Sequence, residues 1–172
     1  MDKILKEHFD KHRKNQTIPK EIQSINLNLF NDEETLKIYR NQFKGIQYKD
    51  TSGNILAGAI DDLLEKNKEI TIIDFKTRGF ALKENTSKSY QDQLNVYAFL
   101  LEKNKHKVSS TAYLLFFYPD KVLENGDIMF HHELIKMAVH PKAGEKLFQD
   151  AITLLNGPEP EPSETCKFCT WK

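Results

Sequence analysis

Cysteine is almost absent from this chain: two residues in 172, Cys166 and Cys169, both near the C-terminal end. Two thiols so placed cannot build a disulfide framework, and a reducing cytoplasm is the expected setting. No apolar run approaches the roughly 20 residues needed to span a bilayer. Met1-Asp2-Lys3 leads into an amphipathic segment and not into an apolar signal core, so neither membrane nor secretion is indicated. An excess of either charge is also missing, with 25 Lys plus Arg against 25 Asp plus Glu. No global field draws the chain to nucleic acid, which argues against a simple coating protein but leaves local phosphate binding open. There is no internal repeat. What is present, 39% hydrophobic and 29% charged residues, suits one soluble globular domain with a substantial core.

The pattern alternates between helix and strand. Residues 2 to 14 read as a helix with Ile4, Leu5, His8, Phe9 and His12 on one stripe. The basic residues there, Lys3, Lys6, Lys11, Arg13 and Lys14, read as a solvated face. Ile25, Leu27 and Leu29 alternate like a half-exposed strand, and Asn31 with Glu34 opens a helix to about Phe43. Strand material follows at 45 to 48, a loop at 50 to 54, then a charged hairpin over roughly 55 to 64 and 70 to 77. After a polar segment at 78 to 87, Ser87 caps a long helix to about Lys103, with Tyr90, Leu94, Tyr97, Ala98 and Leu101 at helical spacing. Strands at 109 to 118 and 127 to 137 pair across Glu124-Asn125-Gly126, and a last helix covers about 142 to 155. The segment from Gly157 to Pro162 is extended. The expected class is α/β, a mixed β-sheet flanked by helices. The expected organisation is one domain over 1–157 and a Pro-rich tail over 158–172 carrying Cys-x-x-Cys.

The hairpin holds the chemistry. Ile73-Asp74-Phe75-Lys76-Thr77 and Gly58-Ala59-Ile60-Asp61 are strand-like runs broken by charge where burial is expected. Asp74 and Lys76 share a face by period two. A turn centred on Asn67-Lys68 sets Asp61 opposite Asp74 and Ala59 opposite Lys76. Facing carboxylates repel unless a cation lies between them. Mg²⁺ or Mn²⁺, held by Asp61, Asp74 and the Phe75 carbonyl, fits that need. Such a metal stabilises charge on a scissile phosphate and acidifies a bound water. Lys76 then orients or deprotonates that water. A surface hairpin with ordinary ion pairs is the plainer reading, but it leaves the in-register carboxylates without a reason.

Further along, Gln93-Leu94-Asn95-Val96-Tyr97 follows Lys76 by seventeen residues and sets Gln93 and Tyr97 one helical turn apart. Gly-x-x-Asp, then Asp-x-Lys-Thr, then Gln-x-x-x-Tyr, in this order, resembles the RecB-like branch of the PD-(D/E)XK nucleases, which includes CRISPR-adaptation and AddB-type enzymes. The resemblance implies a restriction-endonuclease-like core and metal-dependent hydrolysis of DNA phosphodiesters by an exonuclease or end-processing enzyme of repair, recombination or defence. It implies DNA as partner, single-stranded or with free ends, and leaves room for a helicase or other repair partner. Asp61 and Asp74 become metal ligands, Lys76 the water-activating residue, and Gln93 and Tyr97 its support. Tyr97 as a simple core residue is the alternative.

Two features depart from the branch. Its first helix carries a Glu or His metal ligand; Glu7, His8 and His12 are candidates here, with Glu7 favoured because it lies off the apolar stripe. Its iron–sulfur members use four cysteines, whereas two thiolates complete neither a cluster nor a closed zinc site. An intact iron–sulfur cluster is therefore not expected, and truncation or a decayed remnant is. Truncation also keeps a second class open: an inactive nucleic-acid-binding or assembly module that retains the nuclease fold.

Overall fold

A computed structural model describes residues 1–163, 165, 166 and 168 of the chain. In chain order the elements are α1 (Asp2–Lys14), β1 (Asn28–Leu29), α2 (Glu33–Tyr39), β2 (Ile46–Lys49), β3 (Ile55–Gly58), β4 (Asp62–Lys66), β5 (Glu69–Thr77), α3 (Gln91–Lys103), β6 (Lys107–Val108), β7 (Thr111–Val122), β8 (Ile128–Ala138) and α4 (Pro141–Asn156). The main sheet runs β1-β4-β5-β7-β8, with β6 beside the start of β5. β5 and β7 are parallel and α3 makes the crossover, while β4 and β8 flank them antiparallel. This is the mixed α/β, restriction-endonuclease-like arrangement that the sequence implies.

The β4–β5 turn falls on Asn67 and Lys68, both left-handed at φ 52° and 64°, as a two-residue I′ turn requires. It fixes the register Asp62 to Ile73 through Lys66 to Glu69, so Asp61, one residue ahead of β4, comes up to Asp74. The strand expected over 55 to 64 is nevertheless two strands. β3 pairs with β2 in a separate two-stranded sheet, and residues 59 to 61 leave the ladder. Ile60 N–H bonds the Tyr39 carbonyl, and Arg40 Nε donates to the Asp61 carbonyl at 2.7 Å. Ala59 is thus not paired with Lys76; its carbonyl accepts from Tyr97 instead.

Each face of the sheet carries one core. Ile70, Ile72, Leu114 and Phe116 pack under Leu94, Tyr97, Ala98 and Leu101 of α3. On the reverse, Leu64, Ile73, Phe75 and Leu115 pack against Leu5 and Phe9 of α1. The buried stripe of α1 is Leu5, Phe9 and Arg13, while Ile4 is exposed. Other elements also differ from the sequence pattern. β1 is only two residues long; α2 is capped by Asp32, which accepts from Thr35 N–H, and ends at Tyr39. α3 begins at Gln91, after a 3-10 turn over Thr86–Tyr90 and without a Ser87 cap.

Arg13 is buried because Asp62 is. Asp62, 0% exposed, faces the α1 side of β4 and accepts from Arg13 Nη2 at 2.6 Å, Arg40 Nη2 at 2.8 Å and its neighbour Leu63 N–H at 2.8 Å. Arg13 Nε also holds the Phe30 carbonyl at 2.7 Å, and both guanidiniums bind Asp10. Buried charge is tolerated only when paired this fully. The network clamps the chain at Asp61–Asp62, so that consecutive carboxylates serve opposite faces. Replacing Arg13 by Met is expected to cost about 3 kcal/mol or more in urea unfolding, as for a broken buried pair. A loss below about 1 kcal/mol, typical of a surface pair, contradicts the clamp.

Candidate active site

Asp74 lies in the middle of the sheet at 2% exposure. Its Oδ2 is fully enclosed and makes no hydrogen bond. Lys76 Nζ sits 2.6 Å from that oxygen and forms an ion pair with it. Across from it, Asp61 Oδ2 accepts the Phe75 N–H at 2.9 Å, and Asp61 Oδ1 pairs with Lys6 Nζ at 2.9 Å. Burial, then the negative charge of Asp61, push the Asp74 carboxyl up to about 6, against the pull of Lys76 and Lys6. For Lys6 the balance goes the other way: burial lowers its pKa, but Asp2 and Asp61 raise it further, to above the ordinary lysine value.

From Lys76 a directed line of hydrogen bonds crosses to Ala59, just past the end of β3. Lys76 Nζ donates to Gln93 Oε1 at 2.8 Å, Gln93 Nε2 donates to Tyr97 Oη at 3.0 Å, and Tyr97 donates to the Ala59 carbonyl at 2.8 Å. The Lys76 ammonium also lies 4.5 Å from the Tyr90 ring centroid. The line ends on protein at both ends, so each group is fixed before any ligand arrives. Tyr97 is at once part of the α3 core and part of this line; burial, then the Asp74 charge, push its hydroxyl up to about 12. Gly58 makes room for it, since a Cβ there would stand 2.8 Å from Tyr97 Cε1.

Glu7 does not join. It is exposed and pairs with Lys3 at 3.8 Å. His8 meets Glu21, and His12 meets Thr17. Among the described residues no group of three or more His, Cys, Asp or Glu is placed to hold a metal ion. What the first helix sends to the carboxylates is Lys6, one residue from the favoured Glu7. The sequence pattern assigns Lys6 and Arg13 to a solvated face and Tyr90 to the stripe of α3, and it singles out neither Asp62 nor Arg40. Arg13 had a signal, its four-residue spacing from Phe9 and eight from Leu5. Of the two cysteines, Cys166 is half-buried and Cys169 lies outside the described residues. A surface hollow lined by Asp10, Glu33, Glu34, Lys37 and Arg40 lies apart from Asp74 and Lys76.

A family model of the PD-(D/E)XK nuclease superfamily matches residues 1–172. The chain belongs to that superfamily. Neither a curated protein nor a solved structure matches it. Membership in the PD-(D/E)XK superfamily points to nuclease activity with DNA as substrate, for which divalent metals are the usual cofactors. The residues here fit such a metal. Asp74 offers an enclosed oxygen with no hydrogen bond, Asp61 a second carboxylate facing it, and Mg²⁺ or Mn²⁺ commonly takes one or two carboxylates and completes its shell with water and phosphate oxygens. No described helix is long and apolar enough to cross a membrane.

Without metal, the ionised Asp74 works against folding. An unfolded Asp loses its proton near pH 4, whereas the folded Asp74 keeps it to about pH 6. The stability carried by that proton is therefore full below about pH 4 and is lost as pH rises through about 6. In EDTA, Asp74→Asn is expected to melt higher than the parent near neutral pH, by up to about 3 kcal/mol. The gain is expected to vanish below about pH 4. A gain independent of pH, or none at neutral pH, refutes this account.

Proposed function

We propose that this PD-(D/E)XK protein is a RecB-like, divalent-metal-dependent DNA nuclease that hydrolyses phosphodiesters in single strands or at free ends. Repair, recombination or defence are the settings such an activity serves. The observation that carries the reading is the enclosed, hydrogen-bond-free Oδ2 of Asp74 facing Asp61, beside a lysine whose other contacts are already made.

Asp61 and Asp74 would hold Mg²⁺ or Mn²⁺. When bound, the metal supplies charge to the scissile phosphate and lowers the pKa of a water. Asp74 must give up its proton for this, so raised acidity opposes metal loading through the group held at about 6. Lys76 presents an ammonium beside the carboxylates, where it orients the attacking water and offsets charge on the phosphate. Gln93 and Tyr97 are positioning residues: they hold Lys76 through the hydrogen bond from its ammonium to the Gln93 amide oxygen. Phe75 N–H keeps Asp61 turned towards Asp74.

With end-labelled single- and double-stranded DNA and Mn²⁺ or Mg²⁺, cutting is expected from the parent chain. A loss of about 10²-fold or more is expected for Asp74→Ala and for Lys76→Ala, with melting curves that show both variants folded. Cutting unchanged in either variant overturns the assignment. DNA retained by the parent chain without cutting would favour the inactive binding module instead.

A further inference from the structure

The face that carries Asp74 and Lys76 does not end with them. Register places Asp74, Leu114 and Ile135 in one row across β5, β7 and β8, and Lys76, Phe116 and Glu133 in the next. Paired residues share a face, so one further row holds Tyr118 of β7 and His131 of β8. Up to Phe116 the face is closed by α3 and by the Tyr90 ring, 5.9 Å away. Beyond it the cover stops: Phe116 is fully buried, Tyr118 half-exposed and His131 exposed.

Tyr118 and His131 lie ring against ring, 5.2 Å between centroids and tilted by 47°. The Tyr118 hydroxyl donates to Glu133, which fixes the ring in place. This pair serves no core. It is a rigid aromatic shelf on the candidate-site face, about 8 to 12 Å from the Lys76 backbone at ordinary strand spacings. Arg78 follows Lys76 by two residues: its N–H continues the ladder to the Phe117 carbonyl at 2.9 Å, next to Tyr118 in sequence, and its guanidinium lies 4.8 Å from the Phe80 ring centroid. Cations next to aromatic faces are the physical recipe for single-stranded nucleic acid, phosphates on the charges and bases on the rings. A base inside a duplex has both faces occupied by stacking neighbours and cannot lie on such a shelf. The Glu133 carboxylate repels phosphate, so the shelf itself accepts a base and not the backbone.

We propose that a single strand of DNA runs from Lys76 past Arg78 to the Tyr118–His131 shelf, where a base stacks while Arg78 holds a phosphate. The path rests on the nuclease reading for its ligand and supplies the preference for single strands or frayed ends. The test is fluorescence anisotropy in EDTA, with a labelled single-stranded oligonucleotide and a blunt duplex of the same length. Expected is tighter binding of the single strand by the parent chain, and a loss of about tenfold or more in Tyr118→Ala/His131→Ala. Tyr118→Phe retains the ring and is expected to retain most of the affinity. Melting curves establish that both variants are folded. Unchanged single-strand affinity in the double variant, or equal loss in Tyr118→Phe, overturns the path. Cleavage by the parent chain with Mn²⁺, run in parallel, separates the two ideas. Cutting with an unaltered double variant removes only the path; a ring-dependent single-strand preference without cutting keeps the path and removes the nuclease reading.

Discussion

Two carboxylates brought together out of water set the terms for the rest of this molecule. Asp74 is buried in the centre of a sheet with its enclosed Oδ2 against the Lys76 ammonium, and Asp61 faces it. In water such a pair would separate; here the backbone does not allow it. The I′ turn at Asn67-Lys68 fixes the register, the Phe75 N–H holds Asp61 inward, and the Arg13–Asp62–Arg40 clamp pins the next residue on the opposite face. Local cations then relieve part of the repulsion: Lys76 at Asp74 and Lys6 at Asp61. The fold thus holds a costly arrangement in place, as active sites do when the strain is part of the mechanism.

Adjacent acids illustrate how environment divides labour. Asp61 stands one residue ahead of β4 and Asp62 opens it, and their carboxylates turn to different partners. Asp62 meets two arginines and a backbone N–H, and its hydrogen-bonding capacity is well used. Asp61 meets one N–H and one lysine at the half-open edge. Asp62 is held by the clamp, and Asp61 keeps fewer partners. Lys6 has a comparable dual character, since its ammonium stands against the Asp61 oxygen that a metal would also seek.

Much of this was legible before the structure. Period-two alternation and a polar turn were enough to put Asp61 against Asp74, because hairpin register follows from where the turn falls. The Gln93 and Tyr97 pairing followed from helical spacing. The break at residues 59 to 61 was not legible, since it depends on Tyr39 and Arg40, distant in sequence, taking the carbonyl and amide that a continuous strand would use. Arg13 was read as solvated because charge on a helix usually is; only Asp62, 49 residues away, makes its burial affordable. Glu7 was favoured because it lies off the apolar stripe, but that logic gives a direction away from the core and not towards a particular cleft. The shelf at Tyr118 and His131 required β7–β8 register, which a hairpin with a bulge near Pro119 does not disclose from its sequence.

The central claim is that the facing carboxylates exist to hold a divalent cation. Anomalous diffraction from crystals of the chain soaked in Mn²⁺ tests it most directly. The account predicts a single strong peak between the Asp74 Oδ2 and Asp61 carboxylate oxygens, with Lys6 Nζ moved off Asp61. Saturating Mn²⁺ that leaves this position empty, with the Lys6–Asp61 pair intact, would contradict it.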